Sequence, residues 1–339
     1  MQVDNHLDEV YRRLAVTGPE FNGSLSNHAP MAADALIRMG YTQRVEAWLA
    51  AYTARLEPLP PLRWPITEHQ WRESLGDPAR LGDWLAFFAR EVELGPWQEL
   101  LAAWWPRLLP GGIAGAAHAL IRTGHAVRAL TEADTASRRG ELAQALAYWA
   151  ARWQPIPGQE RPDGDSTAPT ALHLLPAPTV SGGIRERLAV LGDEREWPAA
   201  QARLEPVSDP AAVPAALDTL VDATVARYRR TAYTGPVMLV HASTAPRAAR
   251  LALAALPQDL WVRTYQQAWS IAAAITAVYA APESRPEPSP ENLTEADIAA
   301  GAADHGDEHV IKFTEVAIES HRRGNATALN AALQAQRLI

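Results

Sequence analysis

The chain has 339 residues, a formal net charge of −8 with a pI near 5.7, and no cysteine. An acidic chain lacks the concentrated positive field that nucleic acids and anionic membranes require, and the missing thiols exclude disulfides, thiolate nucleophiles, zinc–thiolate sites and iron–sulfur clusters. No nucleic-acid or membrane partner is therefore expected, the substrate is expected to be small, and any metal must be held by His, carboxylate or another oxygen donor.

Residues Met1 to His6 carry neither a basic nor an apolar leader pattern, and no run reaches the roughly 18 apolar residues of a membrane span, so a cytoplasmic location is expected. Asp4 to Ala15 is predicted to be a short helix with Leu7, Val10, Tyr11 and Leu14 on one stripe, and the turn formers from Thr17 to Leu25 break it. Ser26-Asn27 can cap a second helix over about His28 to Met39, ended by Gly40. His28 then lies in a first turn, where the helix N-terminus disfavours imidazolium. A ligand-competent imidazole and an exposed capping-region His are both open readings there. Thr42 to Leu56 is an amphipathic helix, followed by Pro58 to Pro61 and Trp64-Pro65. Two further helices, over about Pro78 to Leu94 and Pro96 to Arg107, open with prolines suited to a first turn. They carry Trp84, Phe87, Phe88, Trp97, Trp104 and Trp105, an aromatic stripe that reads as packing before it reads as a ligand pocket.

Gly115 to Leu130 is predicted helical, with His118 and His125 seven apart on a face otherwise lined by Ala, Leu and Ile. Buried imidazoles need partners, so two on one apolar stripe point towards a site for at least one of them. After a helix at about 138–153, Gln154 to Gly183 reads as a long Pro- and Gly-rich loop or lid, with His173 in it. Helices follow at about 184–191, 196–204 and 211–233. The apolar run Gly235 to Val240 delivers His241 and continues helical to about Leu256, and Leu260 to Ala280 is an almost uncharged helix suited to the centre of a bundle. A second Pro-rich loop spans Pro282 to Asn292. Near the end, Asp304 to Glu315 contains Lys312, the only lysine against 30 arginines. If 305–321 is one helix, His305, His309 and Lys312 fall at i, i+4 and i+7 along one face, which is how a helix presents ligands to a metal. An Arg-biased chain that keeps one Lys on a wet face is the plainer reading of the same spacing.

The predicted class is all-α: a single multi-helix, bundle-like domain over 1–339 with two long Pro-rich loops and no convincing strand. His28, His118, His241 and His309 come from four separated helical segments, as a site assembled between facing helices would have them. Through Ser26-Asn27-His28-Ala29-Pro30-Met31, His118 to His125, Val240-His241-Ala242-Ser243-Thr244 and Asp307 to Lys312, in that order over nearly the whole chain, the sequence resembles the questin oxidase-like family. The resemblance implies an oxidase opening a ring of an anthraquinone in a polyketide-type pathway, NADPH-dependent in some members. It further implies a non-haem iron held by His28, His118, His241, His309 and a carboxylated Lys312. His125 and His305 exceed that set, a departure from the simple match, and are assigned as candidates that orient ligands or move protons.

The residue chemistry agrees with that set. A buried lysine can lose its proton, react with carbon dioxide and offer an anionic oxygen, which arginine cannot do. Four imidazoles and one such oxygen suit Fe(II), with Zn, Mn or Ni as substitutes. No Gly-x-Gly-x-x-Gly follows a strand, so NADPH, if used, is expected to act from outside the fold. The expectation is an iron-dependent oxygenase taking O2 and a small aromatic substrate in a Trp-lined cavity. Its competitors are a Zn or Ni hydrolase on the same residues and a helical binding module. The sequence carries no signal of oligomeric state.

Overall fold

A computed structural model describes residues 2–281 and 291–339, with side chains from His6 onwards. Among these residues there are 17 α-helices, and the only sheet is a two-residue antiparallel pair, Glu20–Phe21 with Leu25–Ser26. The protein is all-α. The small hairpin, turned by Asn22 and Gly23 at positive φ, is the one departure from the strand-free expectation. No described helix is long and apolar enough to cross a membrane. The expected second Pro-rich loop lies outside the described residues except for Glu291 and Asn292.

Packing divides the chain into two compact units, residues 1–155 with 251–257, and residues 156–250 with 258–339. In the first, Leu7, Val10, Tyr11 and Leu14 of the helix Gln2–Leu14 are all buried, as their stripe predicts. The helix Ala136–Arg152 is the centre of this unit, with Leu81–Glu91 and His118–Glu132 packed on it. The Pro-rich segment beside Leu81–Glu91 is fastened by Asp83, whose Oδ1 accepts the N–H groups of Arg63 (2.7 Å) and Trp64 (3.0 Å). Gly82 permits that approach, because a Cβ there would lie 2.2 Å from the Pro61 carbonyl oxygen. Trp84, Phe87, Phe88 and Trp104 pack on one another at ring centroid distances of 4.8–5.7 Å. This is core: the expected Trp-lined cavity is not among the two cavities described, whose linings contain no Trp.

In the second unit, the helix Trp261–Tyr279 is buried almost all round from Thr264 to Val278, as its lack of charge predicts. It packs on Val213–Thr231, which also carries Glu308–Arg322 and Ala328–Leu338. The segment expected to be one long loop is more ordered than its Pro content suggests. It includes the helix Ala168–His173 with Pro169 in its first turn, so His173 ends a helix instead of lying in a loop. A bridge between Ser166 and Leu204 also pins it, beside Gly164 pressed against the Arg203 carbonyl.

Candidate metal centre

Each unit positions a pair of histidines, by different local devices. In the first unit, Asn27 sets the start of the helix Ala29–Arg38. Its Oδ1 accepts the Ala29 N–H (3.0 Å) and its Nδ2 donates to the Gly18 carbonyl (3.1 Å), which leaves His28 at the cap position with Pro30 in the first turn. The Tyr52 hydroxyl accepts the His28 backbone N–H (2.9 Å) and lies 3.5 Å from His28 Nδ1. His118 is delivered by a strained turn: Gly115, Ala116 and Ala117 have φ of 53°, 59° and 66° in succession. For the alanines this costs about 1–2 kcal/mol each. Glycine is required at the head of the turn, since a Cβ on Gly115 would stand 2.5 Å from the Tyr148 hydroxyl. The turn brings the Gly115 carbonyl to His118, where it accepts from both the backbone N–H (3.2 Å) and Nδ1. As a result the Nε2 atoms of His28 and His118 face each other at 2.7 Å with their rings nearly perpendicular.

His125, two turns further along the helix His118–Glu132, enters a different set of contacts. Its Nδ1 is 2.8 Å from Asp34 Oδ2, an atom that also accepts from Arg128, while Arg38 donates to Asp34 Oδ1 (2.8 Å). Burial alone would raise the Asp34 carboxyl, but Arg128, the His125 hydrogen bond and Arg38 outweigh it and hold Asp34 well below the usual carboxylate range. The importance of Asp34 was readable as the lone charge in Ala29-Pro30-Met31-Ala32-Ala33-Asp34-Ala35-Leu36-Ile37, a run buried throughout. Its partners His125 and Arg128, some ninety residues away, were not readable.

In the second unit, His241 is fully buried in the helix Pro236–Ala252, with Nδ1 3.2 Å from the Met238 carbonyl oxygen. Asp307 caps the helix Glu308–Arg322: its Oδ1 accepts the N–H groups of His309 (2.8 Å) and Val310 (3.3 Å) and stands 3.3 Å from His309 Nδ1. Burial pushes the Asp307 carboxyl up, yet these hydrogen bonds and the His309 charge bring it down to about 2. Burial lowers the His309 pKa, aided by the charge of Lys312 and opposed by Asp307. The rings of His241 and His309 are 5.3 Å apart at a steep angle. One turn after His309, the Lys312 side chain is 1 % exposed, and its Nζ has no hydrogen-bond partner among the described residues. Burial lowers its amine from 10.5 to about 7, although Glu308 and Asp307 pull the other way.

The continuous helix expected over 305–321 does not form. Gly306, at φ 77°, stops the helix Glu295–His305, and Asp307 starts a new one. His305 therefore lies on the preceding helix, exposed, with its Nδ1 accepting the Asp307 N–H (3.4 Å), and the i, i+4, i+7 stripe is lost. His309 and Lys312 keep their one-turn relation.

The four histidines share one feature that spacing could not reveal. Every Nδ1 has an oxygen within 3.5 Å: the Tyr52 hydroxyl at His28, the Gly115 carbonyl at His118, the Met238 carbonyl at His241 and the Asp307 carboxylate at His309. A carbonyl oxygen can only accept, so at His118 and His241 it fixes the tautomer and leaves Nε2 as the lone-pair donor, the arrangement that orients metal-bound imidazoles. Two imidazole nitrogens on adjacent positions of an octahedral ion with bonds of about 2.1 Å stand about 3.0 Å apart, and the His28–His118 separation of 2.7 Å is a little shorter than that.

No curated protein matches the chain. A family model described as Questin oxidase-like matches residues 25–316. Such membership implies an oxidase acting on a small molecule. With most of its length matched, the chain belongs to the questin oxidase-like family.

Proposed function

We propose that His28, His118, His241, His309 and Lys312 together hold one non-haem iron, and that the protein is an oxygenase cleaving a carbon–carbon bond of a polycyclic hydroxyaromatic or quinone. The observation that carries the reading is the oxygen beside each Nδ1. The Gly115 and Met238 carbonyls can only accept and so leave the Nε2 lone pairs of His118 and His241 to a ligand, while the Tyr52 hydroxyl and the Asp307 carboxylate stand beside Nδ1 of His28 and His309. A core histidine that merely satisfies its own polarity has no need of this pattern in four separate places. Lys312 completes the argument, because a buried amine with no hydrogen-bond partner among the described residues and a pKa of about 7 is, near neutral pH, about half in the neutral form that adds to carbon dioxide. The addition turns the amine and CO2 into a carbamate anion and one proton. The carbamate gives the site a negative oxygen donor suited to a hard or borderline divalent ion.

Fe(II), when bound, supplies a Lewis-acidic and redox-active centre for dioxygen. The protein's own part is to hold the five donors in place and to move protons. Asp34 at His125 Nδ1 leaves His125 Nε2 to take or give a proton, and Arg128 and Arg38 keep the Asp34 carboxylate ionised while it does so. Exposed His305 exchanges protons with solvent. A reductant, NADPH in this reading, acts from outside the fold.

Elemental analysis of protein purified without oxygen tests the assignment. About one iron per chain in the wild type, lost in Lys312→Ala, is expected, with a carbamate carbon signal after labelling with carbon-13 bicarbonate. Zinc or nickel in its place, with turnover indifferent to oxygen, would assign the same donors to a hydrolase. No metal in either protein would leave a helical binding protein.

A further inference from the structure

The helix Ala136–Arg152 meets both chain segments that lead to the first unit's histidine pair. Towards His28, Tyr148 and Ser26 share a hydrogen bond between their hydroxyls (2.5 Å), and one turn later Arg152 holds the Glu20 carboxylate by two bonds of 2.6 Å. Glu20 and Ser26 face each other in the small hairpin, so both contacts fasten one rung of it, two residues before His28. Towards His118, Trp149 donates its indole N–H to the Gly111 carbonyl (3.2 Å), and Gly112 bridges to Gln154 just past the helix. Gly115, three residues before His118, lies so close to Tyr148 that an added Cβ would stand 2.5 Å from the hydroxyl oxygen. One hydroxyl thus meets both approaches.

Core packing accounts for the Tyr148 ring, which is 1 % exposed, and a phenylalanine would serve there as well. It does not account for the hydroxyl. A buried hydroxyl costs stability unless it is bonded, and this one finds its bond at Ser26 while its oxygen bears on Gly115. Burial, with the Glu20 charge behind it, raises its pKa above the ordinary tyrosine value, so it keeps its proton near neutral pH. Gly115 in turn supplies the carbonyl that accepts from His118 through both the backbone N–H (3.2 Å) and Nδ1. A shift of Gly115 moves the oxygen that selects the His118 tautomer, and a shift of Ser26 moves the entry to His28.

We propose that Tyr148 is a positioning residue for the histidine pair: its hydroxyl, set between Ser26 and Gly115, holds the two approaches together and so keeps His28 and His118 facing each other, Nε2 to Nε2, at 2.7 Å. Groups behind the ligands set the direction in which imidazoles present their lone pairs, and the strained turn at 115–117 needs such a support to persist. As a part of a metal centre the assignment rests on the function proposed above; as the device that orients the two imidazoles it rests on contacts within the first unit alone.

Nitrogen-15 NMR of the metal-free, histidine-labelled full chain, followed by Co(II) titration, tests it. His118, assigned with His118→Gln, is expected as a single Nδ1–H tautomer in the wild type. Tyr148→Phe keeps the ring and should give a mixture of tautomers, with Co(II) bound about tenfold more weakly. Ser26→Ala should reproduce both effects, and the double variant should be no worse than either single one, because each removes the same bond. Tyr11→Phe is the control: it removes a buried hydroxyl with no hydrogen-bond partner among the described residues and should change neither readout. An unchanged His118 tautomer in Tyr148→Phe and Ser26→Ala overturns the proposal, as does an equal change in Tyr11→Phe. A wild type that binds no Co(II) overturns the metal reading instead, and the tautomer signature still decides the role of Tyr148. Should Tyr148→Phe fail to fold, as judged by circular dichroism, Ser26→Ala decides.

Discussion

Two buried cationic groups, one in each unit, are treated in opposite ways. Around Asp34, the charges of Arg128 and Arg38 meet a carboxylate that also holds His125, and Arg38 reaches Glu132 besides. Lys312 is equally buried, yet its Nζ has no hydrogen-bond partner among the described residues, and Glu308 and Asp307 act on it only as charges. The first arrangement is closed, since removing a member leaves another buried and uncompensated. The second costs stability as it stands, and a fold keeps such a group only where the group has other work.

The largest expected effect breaks the closed network. Asp34→Asn leaves two arginines facing a neutral amide and should destabilise the protein by about 3–5 kcal/mol, read from chemical denaturation at pH 7. The same residue fixes a pH dependence. Because the Asp34 carboxyl is depressed in the folded state, its contribution is fully present above the unfolded value of 3.8 and is lost only as pH falls through its lower folded value. Wild type should therefore lose stability in that acid range, and Asp34→Asn should lose less there.

Lys312→Met should act in the opposite direction on stability while abolishing metal binding. Relief of a buried amine whose pKa is lowered from 10.5 to about 7 should stabilise the metal-free protein at pH 7 by on the order of 2–4 kcal/mol. A loss of stability in the metal-free Lys312→Met protein would mean that the amine has a structural partner and would erase the contrast with Asp34.

Between these extremes lies the strained approach to His118. Ala116→Gly and Ala117→Gly remove the left-handed penalty of about 1–2 kcal/mol at an entropic cost of about 0.5–1 kcal/mol, so each should raise stability by up to about 1.5 kcal/mol in thermal denaturation. If the turn exists to hold His118 against His28, both variants should also bind metal more weakly.

The same contrast marks how far the sequence could be read. Helices with one face or all faces apolar, such as Gln2–Leu14 and Trp261–Tyr279, were legible because periodicity is a local property. So were the four histidines and Lys312, as chemically unusual residues in apolar settings. What stayed hidden was long-range or torsional. Asp34 pairs with residues about ninety positions away, and the left-handed run at 115–117 includes two alanines, which carry no sequence mark of positive φ. The helix break at Gly306 is a different case. Gly306 followed by Asp307 is a helix stop followed by an N-cap, and the signal was outweighed by the attraction of His305, His309 and Lys312 as one stripe.

That misread stripe gives the smallest and most discriminating expectation. His305 is exposed at the end of its own helix, and its one described hydrogen bond, from the Asp307 N–H, is long at 3.4 Å. His305→Ala should change stability by less than about 0.5 kcal/mol and leave metal content intact, whereas His309→Ala should lose the metal. If proton exchange with solvent is its role, turnover in His305→Ala should fall and recover with added imidazole, a rescue that a packing residue would not show. Metal loss in His305→Ala would restore the single-helix ligand stripe and require Gly306 to be rebuilt inside a continuous helix, a position where glycine costs about 1 kcal/mol relative to alanine.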